Sequence, residues 1–179
     1  MSTTTLQRIW TRPALMIFSE NAPVVVNAAS GQWNLGAADT DFLYLTDDSR
    51  SELQIAIERI EYKKRMINGR MRSYHVADKK TFSVSWQDLP SVRDELSETR
   101  FGGTTTGWAS SQQMLDWHKD HTDSFYLTLV YDTPTSSSAV PLKYSLEYYN
   151  VFFEDFSYVI TKRGATHDLW DISMTLVEV

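Results

Sequence analysis

Hydrophobic and polar positions follow a period of two along most of this chain, the spacing of β-strands, and a single stretch departs from it toward a helical period. Phe125, Leu127, Leu129 and Tyr131 alternate with Tyr126, Thr128 and Val130, and so few of these are polar that the stretch predicts a strand buried on both faces. Further on, Phe152, Glu154, Phe156, Tyr158 and Ile160 alternate with Val151, Phe153, Asp155, Ser157 and Val159. A turn from Lys162 to Asp168 then leads into Trp170, Ile172, Met174 and Leu176 on one face, with Asp171, Ser173 and Thr175 on the other, which predicts a hairpin. Shorter strands are predicted at 14–18, 24–26 and 42–45, and another begins in 142–148. The departure lies in 112–119, where Met114, Leu115 and Trp117, with His118 or His121, form a stripe behind an N-cap at Ser110 or Ser111. That predicts one short helix of two to three turns, held by packing because so short a helix is unstable alone.

The longest alternating region runs from Ile57 to Trp86 and is interrupted only at Asn68-Gly69, a pair that predicts a type I′ hairpin turn. About ten residues on either side carry no other turn signal, against about five or six in an ordinary strand. A hairpin of that length is expected to project beyond its own sheet. Residues 28–41 predict a loop anchored by Trp33 and Leu35, 91–100 a short helix or exposed loop, 101–107 a flexible connector and 132–138 a second loop. Together these elements predict one domain over 1–179, mainly β: an antiparallel sandwich or barrel with one short flanking helix and a long projecting hairpin.

Charge changes this picture. From Ile57 to Trp86 eight basic residues face three acidic ones, a net of +5, and since the whole chain carries −6 the remainder carries −11. A basic arm on an acidic body predicts joining of copies or neighbours through complementary surfaces, whereas a merely solvated hairpin is the plainer reading. Lys63, Lys64, Arg65, Arg70 and Arg72 are the expected basic side of such an interface, and Asp39, Asp41, Asp47 and Asp48 the expected acidic side. The arm is also the one place suited to nucleic acid, as a β-ribbon, but Glu58 and Glu61 in its stem and the acidic remainder favour protein contact. Six Trp, nine Tyr and eight Phe fit strands, and they keep a carbohydrate-binding module in play beside core packing.

Catalytic constellations are weak. The chain has no cysteine, which excludes disulfides, thiol nucleophiles and thiolate metal sites. Nucleophile elbows, zinc-binding His-Glu-x-x-His and dinucleotide fingerprints are missing, and no cofactor is expected. His118 and His121 stand three residues apart but lack a third ligand. The acidic run Asp39, Asp41, Asp47, Asp48 lacks the glycine and terminal glutamate of an EF-hand, so a solvated turn is preferred. Glu154 and Asp155, as neighbours on a strand, point to opposite faces and do not flank one glycosidic bond. No apolar run approaches the length of about 20 residues that spans a bilayer, and the start MSTTTLQRIW lacks a secretory core, so a soluble product made in the cytoplasm without a membrane anchor is expected.

Two segments carry a resemblance. Arg59-Ile-Glu-Tyr-Lys-Lys-Arg-Met-Ile-Asn-Gly-Arg-Met-Arg-Ser-Tyr-His-Val-Ala-Asp-Lys80 with Ser85-Trp86, and the ending from Asn150-Val-Phe-Phe-Glu-Asp-Phe-Ser-Tyr158 to Trp170-Asp-Ile-Ser-Met-Thr-Leu-Val-Glu178, cover about half the chain. With the order of elements, they resemble the tail tube family of bacteriophages, including tube-initiating and tube-like baseplate proteins. That resemblance implies a β-sandwich or barrel flanked by a helix, hexameric rings stacked head to tail, and a central, generally acidic channel through which DNA passes as a non-specific passenger. It further implies a virion location in the tail, other tail proteins as partners, the hairpin reaching a neighbouring subunit or ring, and no enzymatic activity. A baseplate or tail-end protein, a carbohydrate-binding sandwich and, least favoured, a hydrolase are the alternatives.

Overall fold

The computed structural model describes residues 15–27, 32–34, 42–92, 108–132 and 144–179. Seven strands form one antiparallel sheet: β1 (Met16–Ser19), β4 (Phe42–Tyr44), β5 (Gln54–Arg65), β6 (Met71–Pro90), β7 (Phe125–Asp132), β8 (Tyr144–Arg163) and β9 (Asp168–Glu178). Their spatial order is β4-β1-β7-β8-β9-β6-β5. Between β1 and β4 in sequence, β2 (Val24–Asn27) and β3 (Gln32–Asn34) pair with each other as a separate ribbon. The expected loop over 28–41 is thus interrupted by a strand; with only three residues, β3 is too short for a period of two to register in sequence.

The two end strands of the sheet, β4 and β5, are consecutive in the chain, and the segment between them reaches across to β6. Ser51 N donates to Ser85 O (2.7 Å), Gln87 N donates to Ser49 O (3.0 Å), and Arg50 stands opposite Trp86. The sheet therefore curls on itself, in keeping with the expected mainly-β sandwich or barrel. Its inner face follows from register. Cross-strand pairs Phe82–Leu176, Val84–Met174 and Trp86–Ile172 place every second side chain of β6 and β9 inward, and Met16, Phe18, Leu127 and Leu129 do the same from β1 and β7. Trp86 is fully buried, and its Nε1 donates to Thr46 O at 2.7 Å, which ties the core to the segment after β4.

The helix α1 (Ser111–Asp120) closes this core with Met114 and Trp117. Its start is fixed at Ser110, one of the two expected N-caps, by a reciprocal cap that the sequence reading did not include: Ser110 Oγ accepts from Gln113 N, and Gln113 Oε1 accepts from Ser110 N at 3.0 Å. Ser111 Oγ adds a bond to Pro90 O (3.1 Å), anchoring the helix to the end of β6. On the opposite face of β1 and β7 a smaller cluster of Ile17, Phe42 and Val130 is covered in part by Trp108 and Leu146. This second cluster explains why β1 and the middle of β7 are buried on both sides.

Strand β8 corrects two expectations. Instead of separate segments at 142–148 and 151–160 it is one run of 20 residues, whose first part pairs with β7 and whose later part pairs with β9. The single alternation read across it also fails. Val151 and Phe153 face the core, yet so does Phe156, because a bulge between Phe153 and Asp155 shifts the phase by one residue. That bulge leaves Glu154 and Asp155 both exposed.

Candidate functional site

Pairing of β6 with β9 ends at Thr81–Val177, but β6 and β5 continue together to Arg65–Met71. About ten residues of each strand thus extend past the sheet, roughly 30 Å at the rise of a strand. At the root, Lys80 N donates to Glu178 Oε2 (3.0 Å) and Lys80 Nζ donates to Tyr149 Oη (2.6 Å), which in turn donates to Glu147 Oε2 (2.6 Å). Lys79 Nζ bonds to Val179 O. The bond to Tyr149 raises the Lys80 ammonium above its ordinary pKa, and burial raises the Tyr149 hydroxyl. Lys80 is therefore held as a cation where the arm leaves the body.

The tip differs from the expected type I′ turn. Only Gly69 takes a positive φ (78°); Asn68 does not, and its Oδ1 instead accepts from Arg70 N (3.1 Å). Gly69 N donates to Met66 O (2.9 Å) and Met66 N to Arg70 O (2.7 Å), a three-residue loop of the kind in which a left-handed glycine follows a type I turn. A side chain at position 69 would meet nothing, so conformation and not space requires the glycine there.

Register then sorts the arm into two unlike faces. The face continuous with the core carries Ile57 and Lys80 at its root and Arg65 and exposed Met71 at its tip, and between them Arg59, Glu61, Lys63, Ser73, His75 and Asp78. Those between satisfy one another: Arg59 Nε lies 3.1 Å from Asp78 Oδ1, His75 Nε2 lies 2.9 Å from the same oxygen, Ser73 Oγ donates to Glu61 Oε2 (2.5 Å), and Lys63 pairs with Glu61. The bonds from Lys63 and Ser73 hold the Glu61 carboxyl below the usual range, and those from His75 and Arg59 do the same for Asp78. The outer face carries Ile60, Tyr62, Tyr74 and Val76, exposed at 44, 60, 55 and 70%. Two changes of phase produce it. On β5 the apolar positions switch from odd (Ile55, Ile57) to even (Ile60, Tyr62); on β6 the extra residue Val76, between the pairs Ile60–Ala77 and Glu61–His75, moves Tyr74 to the matching side.

Of the expected basic residues, Lys63 is thus engaged within its own strand, while Lys64, Arg65, Arg70 and Arg72 lie exposed near the tip and make no ion pair among the described residues. Lys64 and Arg72 stand directly opposite each other, an unfavourable pairing of like charges. Asp39 and Asp41 lie outside the described residues. Asp47 and Asp48 sit at the far end of β6 from the tip; Asp47 is occupied by Arg50 Nε (3.0 Å) and by Leu15 N (3.2 Å), and Asp48 is exposed. Among the described residues the predicted basic groups and Asp47 and Asp48 therefore occupy opposite ends and do not meet within one chain. Sequence reasoning missed Asp88 and Asp171, which join the acidic end through Asp88 N to Asp171 Oδ1 (2.9 Å), and it missed the apolar outer face of the arm. The change from odd to even apolar positions between Ile57 and Ile60 was the available signal.

Elsewhere, His118 stacks on Phe156 (4.6 Å) and His121 stacks on Trp117 (3.9 Å), while burial lowers the pKa of His118. Both rings are used in packing at the helix. Among the described residues no helix is long and apolar enough to cross a membrane. No protein-family model matches the chain, and no curated protein matches it.

Proposed function

We propose that this chain is a structural protein of a bacteriophage tail, a tube subunit that forms hexameric rings around a DNA channel. The observation that carries the reading is the arm, a stretch of about ten residues per strand that leaves its sheet and, among the described residues, covers no core cluster. Two edges add to it. The outer edge of β5 is unpaired along its length among the described residues, and β8 beyond Val151 has β9 on one side only. Open edges on opposite sides of one sheet suit repeated contacts around a ring, where each copy covers its neighbour's edge. The acidic remainder suits a channel that passes DNA without holding it. A baseplate or tail-end protein of the same architecture is the nearest alternative position.

Negative-stain microscopy of the concentrated protein tests this reading. Rings or tubes with a central hole are expected, and a strict monomer at every concentration refutes self-assembly. Reversing Lys64, Arg70 and Arg72 to Glu is expected to block assembly while leaving the melting of the monomer unchanged; normal assembly by this variant refutes the role of the basic tip.

A further inference from the structure

The tip of the arm, from Lys64 to Arg72, differs from the stem behind it. Charges in the stem are matched: Glu61 is bound by Lys63 and Ser73, Asp78 by Arg59 and His75, and Glu58 stands directly opposite Lys79. From Tyr62 to Ala77 the chain has no acidic residue. The exposed cations Lys64, Arg65, Arg70 and Arg72 therefore lack a carboxylate beside them, and Lys64 and Arg72 face each other across the strands. Between Arg65 and Arg70 the apex carries Met66 and a fully exposed Ile67, and Met71 stands exposed opposite Arg65. The turn does not ask for these apolar side chains. Its geometry requires only the positive φ of Gly69, and polar residues are the usual occupants of such a loop.

An apolar apex inside a collar of cations fits a lipid surface that bears anionic headgroups. Apolar side chains gain by leaving water at the acyl boundary, and the cations beside them gain from the negative surface potential. Dimensions agree. The apex stands about 7 Å beyond the Arg65–Met71 pair at the rise of a strand, within the depth of about 5–10 Å to which peripheral segments bury apolar groups. Much of its backbone is satisfied inside the loop, by Gly69 N to Met66 O (2.9 Å), Met66 N to Arg70 O (2.7 Å) and Arg70 N to Asn68 Oδ1 (3.1 Å). That lowers the cost of leaving water. The acidic body, which an anionic surface repels, lies about 30 Å behind the tip, about three Debye lengths at about 0.1 M salt. We propose that the tip of the arm docks on anionic lipid bilayers, with Met66 and Ile67 entering the acyl boundary and the four cations on the headgroup phosphates. This is contact at one surface and not a span. It does not rest on the self-assembly reading, because a free chain presents the tip, as does any copy whose arm no neighbour covers. A nucleic acid would use the cations but leave the apex without a partner.

Vesicle flotation tests the proposal, at protein concentrations below those that give particles. Binding is expected to vesicles of phosphatidylglycerol and phosphatidylcholine in equal parts, at least about tenfold weaker to phosphatidylcholine alone, and falling as salt rises. The chain has no cysteine, so Ile67→Cys carries a single thiol for an environment-sensitive fluorophore. Its emission should shift to the blue on the mixed vesicles and be quenched by a quencher carried on the acyl chains. A probe at Ser157→Cys, exposed on the body, should show neither change. With melting unchanged, Ile67→Ser is expected to weaken binding about tenfold and Arg72→Gln about fivefold. No flotation with the mixed vesicles at low salt overturns the proposal. Flotation in which the probe at position 67 keeps its aqueous emission, or in which Ile67→Ser binds as well as the parent, reveals adsorption by charge alone and overturns it too. A probe that responds to duplex DNA in a chain that leaves vesicles unbound makes the tip a nucleic-acid surface, and the proposal fails. Particles seen or not seen by microscopy decide the self-assembly reading separately.

Discussion

Strand β6 is one run of 20 residues with two unlike halves. In its C-terminal half, where β9 pairs beside it, Phe82, Val84 and Trp86 are buried in the core shared with β1, β7, β9 and the helix; in its N-terminal half Met71, Tyr74 and Val76 are exposed at 60, 55 and 70%. The same hydrogen-bonded ladder with β5 runs through both. What differs is the third strand, β9, and the core that the inner face meets only in the C-terminal half. A two-stranded ribbon is marginal in water, so the arm depends on its continuity with the body and on weak cross-strand pairs, whereas the body is held by a shared core. The comparison teaches that strand geometry can be carried well past the point where burial supports it, at the cost of an apolar face left for something else to cover.

Amide hydrogen exchange gives the largest expected contrast. Amides at 82–86 should exchange only through global unfolding and those at 72–77 through local opening, at least about a thousandfold faster. Equal protection in the isolated protein would break the distinction by making the arm part of the cooperative core. Next in size, Trp86→Ala should cost about 3–5 kcal/mol in urea unfolding, since it empties a fully buried site and orphans Thr46 O, while Tyr74→Ala on the same strand should change stability by no more than about 0.5 kcal/mol. A Tyr74 effect comparable to that of Trp86 would show that the arm folds back on its own body. Smaller than the Trp86 effect, replacing 60–77 by a short turn should move the melting temperature by no more than about 4 °C, because the removed residues belong to no core cluster among the described residues. A larger fall would sharpen attention on the Lys80–Tyr149–Glu147 root as a structural joint.

Much of the fold was legible because its signals are local. The N-cap at Ser110 with the stripe of Met114, Leu115 and Trp117, the alternation from Phe125 to Tyr131 and the return strand from Trp170 to Leu176 each lie within a single element. Expectations failed where one residue changed the phase. The bulge at Phe153–Asp155 brought Phe156 to the core against simple alternation, and the bulge at Val76 gathered Ile60, Tyr62, Tyr74 and Val76 on one face. Insertion of one residue is silent in a hydrophobic pattern, because a bulge is defined by the partner strand and not by the strand that carries it.

The same division runs through the candidate site. Sequence by itself determined that an unusually long basic hairpin exists, that the rest of the chain is acidic, and that thiol chemistry is excluded, since these follow from composition and from spacing along one segment. Only the tertiary structure decided that Lys63 is spent on Glu61, that Asp48, Asp88 and Asp171 gather at the end farthest from Lys64 and Arg72, and that the arm turns its apolar side outward. Those outcomes depend on register between strands distant in sequence, where a shift of one residue exchanges the two faces.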